Sequence, residues 1–392
     1  MAELLIIGGG YAGVWAAMGA ARRGHDGGMA LNIRLLSKDG YLTHRPRLYE
    51  RDPGAMQTPL DAVLSPIGVE LNIAEVTAID AQRKTVRTRD EHSQEVEFHY
   101  DGLILAAGST ARPPPWQVVN GRTWSIDSHD DAVALDRHLA SLKDGAGEDT
   151  VVIVGAGFTG LELATEMRIR LAEHLGDGRA ERARIILLEA AASVSEELGP
   201  GPRPHIEAAL QAAKVDLRLG TTIERIDGGQ VFLNDGARIT APTVIVTTGP
   251  RANQLAAGFG LPTDPAGRLP VDENLAVEGL SNIHAAGDTA HARTDASHVA
   301  LMSCQHAMPM GRHAGHNAAA ALLGLPPRAY QQERYVTCLD LGPWGAVFTN
   351  GWARDVVSIE QEAKARKRFI NTQAIYPPTN DRDAILEAGA IA

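Results

Sequence analysis

The chain has 392 residues, of which 44% are hydrophobic, and a formal net charge of −11. This length exceeds what one hydrophobic core usually organises, so we expect at least two domains. The acidic balance argues against a nucleic-acid partner, and the two cysteines, Cys304 and Cys338, are too few for a disulfide scaffold. No apolar run reaches the ~20 residues of a membrane-spanning helix, and neither a secretory leader nor a metal site is predicted.

The chain begins with the pattern of a dinucleotide-binding unit. Its strand, helix and second strand are predicted at Leu4–Ile7, Val14–Arg22 and Ile33–Leu36. Between strand and helix lie Gly8, Gly10 and Gly13, spaced as G-x-G-x-x-G. The first glycine of such a loop permits the turn, the second lets a pyrophosphate approach the backbone, and the third lets helix and strand pack closely. Ser37 stands where a ribose-binding acid is usual, with Asp39 within reach as a substitute.

The segment that follows predicts the end of the first domain. Residues 69–98 have apolar positions spaced through polar, turn-rich sequence, which is typical of antiparallel strands. Gly102–Ala107 is an apolar run that ends at Gly108. The segment Arg112–Trp116 contains three consecutive prolines, which neither a helix nor a central strand tolerates, so we interpret it as an interdomain linker.

A second glycine-loop unit follows the linker. Its strand, helix and second strand are predicted at Val151–Val154, Leu161–Ala172 and Ile185–Leu188. Gly155, Gly157 and Gly160 repeat the loop spacing, and Glu189 directly follows the second strand. A carboxylate there accepts from a ribose 2′-hydroxyl and repels a 2′-phosphate, which favours NADH over NADPH. The alternative is that Glu189 is an ordinary solvated strand end.

The last third of the chain predicts a return to the first domain and then a separate C-terminal region. Val244–Thr247 predicts a strand that leads to Gly249, and Leu269–Asp288 predicts strand, turn and strand. Val299–Leu323 has the composition of a long helix. After two prolines, a strand pair is predicted around Cys338 and Val347, followed by the basic run 364–368, which we interpret as a solvated helix face.

These motifs resemble the two-dinucleotide-binding-domain flavoproteins, and among them the type II NADH dehydrogenases (NADH:quinone oxidoreductases). The resemblance covers residues 3–320 and includes the segments Asp101–Gly108, Thr247–Gly249 and Ser281–Asp288. It implies that the first loop binds FAD, that the second binds NADH, and that Asp288 bonds the ribityl chain. The predicted cofactor-binding residues are Gly8, Gly10, Tyr11, Ala12, Gly13, Ser37, Arg45, Ala107, Gly108, Gly155, Gly157, Thr159, Gly160, Glu189, Gly249, Gly287 and Asp288.

The resemblance also nominates catalytic residues. Tyr49 ends a Pro-Arg-Leu-Tyr segment similar to the Pro-Leu-Leu-Tyr of that family, and Glu162 opens a similar helix start. Gln305 belongs to Cys-Gln-His-Ala-Met-Pro, which keeps only part of the family's Ala-Gln-x-Ala-x-Gln quinone signature. Pro309 replaces its second glutamine, and we expect it to disturb the helix. The predicted catalytic residues are therefore Glu162, Gln305 and Tyr49, although a first-turn acid stabilised by the helix dipole is an alternative for Glu162.

The fold class that follows is α/β, with two Rossmann-like dinucleotide-binding domains and a small C-terminal region. We expect an FAD domain at 1–110 and 245–325, an NAD(P)H domain at 111–244, and the C-terminal region at 326–392. The expected activity is hydride transfer from NADH to flavin and electron transfer to an acceptor, with a quinone favoured. A soluble reductase of a ferredoxin or small metabolite, and a flavin-bearing redox sensor, remain alternatives.

Location, assembly and cysteine chemistry are less constrained. We expect a cytoplasmic protein, with peripheral contact on the inner face of the membrane and a homodimer both left open. One weak amphipathic segment, with Val356, Ile359, Ala363 and Ile370, is the candidate for that contact. Cys304 is predicted near the flavin and is interpreted as a small apolar residue, because its only partner, Cys338, lies in a different region.

Overall fold

The apolar runs of the sequence form two separate parallel sheets in the computed structural model, which describes residues 1–145 and 147–391. The α-helices are α1 (Tyr11–Gly27), α2 (Asp61–Leu64), α3 (His129–Ala140), α4 (Phe158–Leu175), α5 (Asp177–Arg182), α6 (Arg203–Ala212), α7 (Cys304–Leu322), α8 (Glu360–Phe369) and α9 (Arg382–Ala388). The first strands are β1 (Glu3–Ile7), β2 (Asn32–Ser37), β3 (Tyr41–Thr43), β4 (Gln57–Pro59), β5 (Glu70–Ile73), β6 (Glu75–Asp80), β7 (Thr85–Arg89), β8 (Glu95–His99), β9 (Gly102–Leu105), β10 (Ser109–Ala111), β11 (Gln117–Val119), β12 (Thr150–Val154) and β13 (Arg184–Leu188). The later strands are β14 (Val215–Arg218), β15 (Ile223–Asp227), β16 (Gln230–Leu233), β17 (Arg238–Thr240), β18 (Thr243–Val246), β19 (Pro250–Ala252), β20 (Leu269–Pro270), β21 (Ile283–Ala285), β22 (Ala290–His291), β23 (Val336–Asp340), β24 (Ala346–Asn350) and β25 (Asp355–Ile359).

The first sheet contains the first glycine loop. Its strand order is β21-β9-β1-β2-β5, and every neighbouring pair is parallel. Strand β1 is central, because Ile7 lies opposite both Leu36 of β2 and Leu105 of β9. Residues 70–73 therefore belong to this parallel sheet, which corrects the antiparallel prediction for the start of 69–98. The antiparallel strands are β6, β7 and β8.

The second sheet contains the second glycine loop. Its order is β14-β13-β12-β18, again with parallel neighbours. Strand β12 is buried along its whole length, as is typical of a strand covered on both faces. The last strand, β18, crosses the predicted domain boundary between residues 244 and 245. The α/β class and the two Rossmann-like domains are thus confirmed.

Helices α1 and α7 pack directly on each other in the first domain. A Cβ on Gly315 of α7 would lie only 2.0 Å from the carbonyl oxygen of Ala16 in α1, so the glycine permits this close approach. Helix α7 begins at Cys304, five residues later than predicted, and continues through Pro309. Proline has no N–H for the carbonyl four residues earlier, and this carbonyl, of Gln305, accepts from Nε2 of Gln332 instead (3.1 Å). The predicted disturbance is therefore absent, because a side chain replaces the lost bond.

The C-terminal region forms an antiparallel sheet, β23-β24-β25, with α8 packed on it. The predicted strand pair was incomplete, since β25 adds a third strand. Leu339 and Leu341 enter the same hydrophobic cluster as Leu161 of α4 and Leu48. The region therefore packs against the second glycine-loop unit and against the segment after β3. Within the described residues, no helix is both long and apolar enough to cross a lipid bilayer.

Candidate functional site

In the first glycine loop, the backbone packs closely against the Cβ positions of Gly8 and Gly13 and leaves that of Gly10 open. Gly8 has φ +113, and a Cβ on it would lie 2.3 Å from the Ala106 carbonyl oxygen. A Cβ on Gly13 would lie 1.8 Å from the carbonyl oxygen of Gly8. Gly10, the N-cap of α1, has no atom within 4 Å of its Cβ position. Close packing at two glycines and open space at the third, in front of helix N–H groups, suits a pyrophosphate.

Further predicted residues surround this loop. Ser37 is buried at the end of β2, and its Oγ lies 2.5 Å from the Cβ position of Gly9. Asp39 instead accepts a hydrogen bond from the backbone N–H of Tyr41 (3.0 Å), so Ser37 is the polar side chain beside the loop. The Cβ position of Gly287 lies 2.8 Å from the Cβ of Ala12. The structure thereby brings the segment before Asp288 against the start of α1.

Asp288 lies in a polar cluster between the two domains. Ser109 donates to its Oδ2 (2.6 Å), and Arg45 donates to both the hydroxyl (3.1 Å) and the carbonyl (3.2 Å) of Ser109. Arg45 also pairs with Asp127, which accepts from the N–H of Ala111 (2.9 Å). Burial raises the pKa of Asp288, against the hydrogen bond from Ser109. Among the described residues no donor bonds Oδ1 of Asp288, so this oxygen can accept from a ligand hydroxyl.

Two glycines with left-handed backbone conformations follow strands near this cluster. Gly108 follows β9 with φ +68, and Gly249 follows β18 with φ +87. Neither has an atom within 4 Å of its Cβ position. Ala107 precedes Gly108, and Tyr11 opens α1, where its hydroxyl bonds Nδ1 of His44 (2.9 Å). Gly108 directly precedes Ser109, the residue that donates to Asp288.

The second glycine loop repeats the geometry of the first. Gly155 has φ +103, and a Cβ on Gly160 would lie 1.8 Å from the Gly155 carbonyl oxygen. Glu189 accepts from the N–H of Ala156 inside the loop (2.6 Å) and from the N–H of Ala191 (2.9 Å). Thr159, in the first turn of α4, is exposed. Glu189 is therefore positioned by the loop backbone itself, which a merely solvated strand end would not be.

The surroundings of Glu189 favour a plain ribose over one with a 2′-phosphate. The neighbouring strand β14 ends at Arg218, whose carbonyl accepts from the N–H of Glu189 (2.9 Å). The guanidinium of Arg218 is paired with Asp216 (3.0 Å), and among the described residues it makes no hydrogen bond to the carboxylate of Glu189. A 2′-phosphate at this point would be repelled by the carboxylate of Glu189, and Arg218, already paired with Asp216, would not neutralise it.

A buried cluster of charges joins α4 to the C-terminal region. Glu162 of α4 pairs through Oε1 with Nζ of Lys367 in α8 (2.8 Å) and accepts from the N–H of Asp340 (3.0 Å). Lys364 donates to the Asp340 carboxylate (2.5 Å) and to the carbonyl of Gly342 (3.0 Å). Burial raises the pKa of Glu162 against the attraction of Lys367. Burial alone would lower the pKa of Lys367, but the carboxylate of Glu162 raises it instead.

Tyr49 belongs to this cluster. It is buried, and its hydroxyl donates to Oδ2 of Asp340 (2.8 Å). Asn371 donates to that hydroxyl (3.4 Å) and to Glu50 (2.7 Å). Burial raises the pKa of Tyr49, and the nearby Glu162 carboxylate raises it further. Of the predicted catalytic residues, the structure therefore brings Glu162 and Tyr49 together through Asp340.

Glu166 lies one helical turn beyond Glu162 on α4. Burial raises its pKa to about 7, although Lys364 and Arg51 oppose the shift. Its Oε1 is 3.8 Å from Nε of Arg51, a half-exposed residue. A carboxyl group that titrates near neutral pH is thus situated between the buried cluster and the surface.

Gln305 has a different position from the other two predicted catalytic residues. Its Nε2 donates to the carbonyl of Val336 (3.0 Å), and its Oε1 accepts from the N–H of the same residue (3.1 Å). Both ends of the amide are therefore bound to β23. The contact fastens the N-terminal end of α7, where Cys304 lies, to β23 of the C-terminal region, where Cys338 lies.

Both cysteines are protonated thiols at neutral pH. Burial raises the pKa of Cys304 to about 11 and that of Cys338 to about 11, and the ammonium of Lys367 opposes both shifts. Since the thiolate is the reactive form, neither residue has the low pKa of a nucleophilic cysteine. The charge of Lys367 therefore acts on Cys304 at the start of α7 as well as on Cys338 of β23.

Sequence reasoning missed the lysines and Asp340. The basic run 364–368 was interpreted as a solvated face, but Lys367 is buried and Lys364 is only 15% exposed in its side chain. The missed indication is their spacing: residues three apart share a helix face, and Ala363 on that face is also buried. Which residues of β23 and α4 this face would meet could not be deduced from the chain order.

A family model described as pyridine nucleotide-disulphide oxidoreductase matches residues 2–311 of the chain. An NADH dehydrogenase-like protein of Mycobacterium tuberculosis is 41% identical over 396 residues, covering 100% of this chain and 98% of that protein. A type II NADH:quinone oxidoreductase of Staphylococcus saprophyticus is 25% identical over 393 residues, covering 95% of each chain.

The fold comparison agrees with these sequence matches. The solved structure of NDH2 from Plasmodium falciparum in complex with NADH superposes with a TM-score of 0.79 at 13% identity. The match covers 99% of this chain and 97% of that one, and so includes the C-terminal region beyond residue 311. At this identity the likeness concerns the fold alone.

Proposed function

The chain belongs to the pyridine nucleotide-disulphide oxidoreductase family, and from that premise we propose that it oxidises NADH through bound FAD and reduces a quinone. The broader statement, that it is an NADH-dependent flavoprotein oxidoreductase, follows from the family together with the NADH dehydrogenase-like relatives. The identity of the acceptor is the part that we propose. It is supported by the buried acid–base cluster around Glu162 and Lys367.

The two glycine loops suit the two cofactors. We assign FAD to the unit of Gly8, Gly10 and Gly13, with Asp288 and Ser37 as hydroxyl partners, within residues 1–110 and 245–325. NADH is assigned to Gly155, Gly157 and Gly160, with Glu189 as the ribose acceptor, within residues 111–244. Bound at the first glycine loop, FAD would supply the redox chemistry between NADH and the acceptor. The protein supplies binding, alignment and protons.

Protons distinguish the candidate acceptors. A quinone becomes a quinol by taking up two electrons and two protons, whereas a ferredoxin takes up an electron and no proton. The pair of Glu162 Oε1 and Lys367 Nζ (2.8 Å) is buried, and both Lys367 and Asp288 act on the pKa of Cys304, the first lowering it and the second raising it. A proton held at Nζ and exchanged with Oε1 can serve an acceptor that must be protonated. This buried pair is the observation that carries the proposal.

A route from solvent to that pair is also available. Glu166, with its pKa raised to about 7 by burial, exchanges protons at neutral pH. Lys364 lies near Glu166 and is bonded to Asp340, whose backbone N–H bonds Glu162. Tyr49 donates to the other oxygen of Asp340 (2.8 Å). These polar side chains lie between Glu166, near the surface, and the buried pair.

The surface of the C-terminal region fits an acceptor that is dissolved in lipid. Val357 of β25 and Phe369 of α8 are 58% and 54% exposed, and Arg366 and Arg368 of α8 are exposed as well. Apolar side chains next to cations suit the headgroup region of an anionic bilayer. We include peripheral contact with a membrane surface at this site in the proposal.

The test separates the two half-reactions of the purified holoenzyme. Under anaerobic conditions we expect NADH to bleach the flavin at least tenfold faster than NADPH, as Glu189 requires. The reduced enzyme is then mixed with a soluble quinone, a ferredoxin and ferricyanide, which accepts an electron without a proton. Glu162→Gln should slow quinone reduction about a hundredfold and leave bleaching by NADH and reduction of ferricyanide within about twofold. Glu173→Gln, on the exposed face of α4, is the matched control.

Three results would contradict the proposal. Rapid reduction of ferredoxin with no reduction of quinone would favour the ferredoxin reductase. Equal loss with quinone and ferricyanide in Glu162→Gln would show that the carboxylate acts structurally and does not deliver protons. Failure of NADH to bleach the flavin on a catalytic timescale would favour a redox sensor.

A further inference from the structure

The hairpin between β24 and β25 places an arginine at the second glycine loop. Arg354 has a left-handed backbone (φ 57), and its N–H bonds the carbonyl of Gly351 (3.0 Å). Its guanidinium carbon lies 5.9 Å from the ring centre of Phe158 and 5.3 Å from that of Tyr335. Phe158 is the first residue of α4 and directly follows Gly157. The C-terminal region therefore contributes a cation to the N-terminal end of this helix.

A stack of aromatic rings holds the hairpin in this position. The Trp352 ring lies 4.3 Å from the His298 ring on one side and 4.3 Å from the Tyr335 ring on the other. His306, at the start of α7, continues the stack at 5.5 Å from Tyr335. Residues from the first domain and from the C-terminal region thus fix the backbone from which Arg354 projects. Two-sided stacking of this kind limits the freedom of the hairpin.

Three polar atoms of this cluster lack partners. Nη1 of Arg354, Nε1 of Trp352 and Nε2 of His306 are buried without a hydrogen-bond partner among the described residues. Buried donors of this kind are rarely left unpaired in native proteins, and an arginine is the costliest of them. Arg354 is the member of this group that lies next to Phe158 at the second glycine loop, so a ligand with acceptor oxygens on that loop would supply its missing partner.

An opposing charge lies over the same loop. Oε1 of Glu197 is 3.1 Å from the Cβ position of Gly157, the second glycine of the motif. Glu197 and Arg354 act on the Tyr335 hydroxyl in opposite directions: burial raises the pKa of Tyr335, Arg354 lowers it, and Glu197 raises it further. A pyrophosphate on the loop therefore meets a carboxylate and a guanidinium together, and the balance of the two sets its affinity.

We propose that Arg354 binds the pyrophosphate of NADH, and that Glu197 opposes this binding from across the loop. The C-terminal region thereby becomes part of the donor site as well as of the acceptor side. This inference rests on the assignment of NADH to the second glycine loop in the proposed function. It does not depend on the identity of the acceptor.

The test measures binding to the oxidised holoenzyme, so turnover plays no part. NAD⁺ and ADP-ribose, which keeps the pyrophosphate and lacks the nicotinamide, are titrated against Arg354→Gln, Arg354→Lys and Glu197→Gln. Arg354→Gln should weaken both ligands about tenfold, as expected for the loss of one charge-assisted hydrogen bond, and should lower the salt dependence of binding. Arg354→Lys should retain part of the affinity, and Glu197→Gln should tighten both ligands about threefold.

Two controls accompany these variants. Arg366→Gln removes another guanidinium of the C-terminal region, one that lies 4.2 Å over Phe348, and should leave both affinities unchanged. Glu189→Ala changes the predicted ribose contact and so reports whether the nucleotide occupies the second loop. FAD content shows whether each variant folds. If Arg354→Gln is not isolated as holoenzyme, the expected tightening in Glu197→Gln still tests the proposal.

Several outcomes would overturn the inference. Affinities within twofold of the parent in Arg354→Gln, with a loss in Glu189→Ala, would show that the nucleotide binds without Arg354. A loss for NAD⁺ but not for ADP-ribose would place Arg354 at the nicotinamide. Unchanged or weaker binding in Glu197→Gln would show that Glu197 does not oppose binding of the pyrophosphate. No effect in either Arg354→Gln or Glu189→Ala would contradict the assignment of the second loop itself, whereas a failure with quinone alone would affect only the acceptor.

Discussion

Removing the charge of Glu162 should destabilise the protein more than removing the whole Glu162–Lys367 pair. The two side chains are each 8% exposed and 2.8 Å apart. At an effective dielectric constant of about 20, their attraction is about 6 kcal/mol, and burying each ion costs several kcal/mol, so the intact pair is nearly neutral for stability. Glu162→Gln keeps an oxygen to accept from the N–H of Asp340 but leaves the ammonium of Lys367 without its carboxylate.

The expected cost of Glu162→Gln is about 3–5 kcal/mol, as for other broken buried pairs. The double variant Glu162→Gln/Lys367→Met removes both charges and keeps the length of the lysine stem, so it should fall within about 1–2 kcal/mol of the parent. Urea unfolding of the holoenzyme at pH 7, followed by tryptophan fluorescence, measures the difference. Glu173→Gln on the exposed face of α4 should be neutral to about 0.5 kcal/mol.

A loss of less than about 1 kcal/mol in the free energy of unfolding of Glu162→Gln would contradict this prediction, because the ammonium of Lys367 would then be solvated and not buried. A double variant as unstable as the single one would also contradict it. In that case the loss would come from packing between α4 and α8, and the charge would be irrelevant.

Two further predictions concern the first glycine loop and Glu166. Gly13→Ala should abolish folding of the FAD unit, because the new Cβ would lie 1.8 Å from the Gly8 carbonyl oxygen. Gly10→Ala should fold and yet lose FAD, because no protein atom lies within 4 Å of its Cβ position. The flavin-to-protein ratio and the melting temperature of the apoprotein separate the two outcomes. If Gly10→Ala retains full flavin, the open space at Gly10 is not the phosphate position. For Glu166, burial raises the pKa from 4.5 to about 7, so the folded state binds the proton more tightly than the unfolded state does. The free energy of unfolding of the parent protein should therefore fall by up to about 3 kcal/mol as the pH rises from about 4.5 through 7. Glu166→Gln should flatten this profile between pH 4 and 8, and an unchanged slope would show that another group is responsible.

The sequence was sufficient for features in which each residue's role depends on its neighbours along the chain. Strand, glycine loop and helix follow one another at both Gly8–Gly13 and Gly155–Gly160, and their spacing predicted the close approaches that the structure contains. The α/β class and the family followed from these local patterns. Glu189 was also found this way, because it directly follows the strand that pairs with β12.

The acid–base cluster and the Arg354 hairpin depend on contacts between distant parts of the chain. Glu162 and Lys367 are 205 positions apart, and Tyr49 and Asp340 are 291 apart. The basic run of α8 has the composition of a solvated face, and only its packing against β23 and α4 shows that Lys367 is buried. Hydrophobic and glycine patterns report which face of an element is covered, but they carry no information on which distant element covers it. The position of a charge in the assembled fold decides whether it is solvated or paired, and that is why the two glycine loops were predictable from the sequence and the buried charged cluster was not.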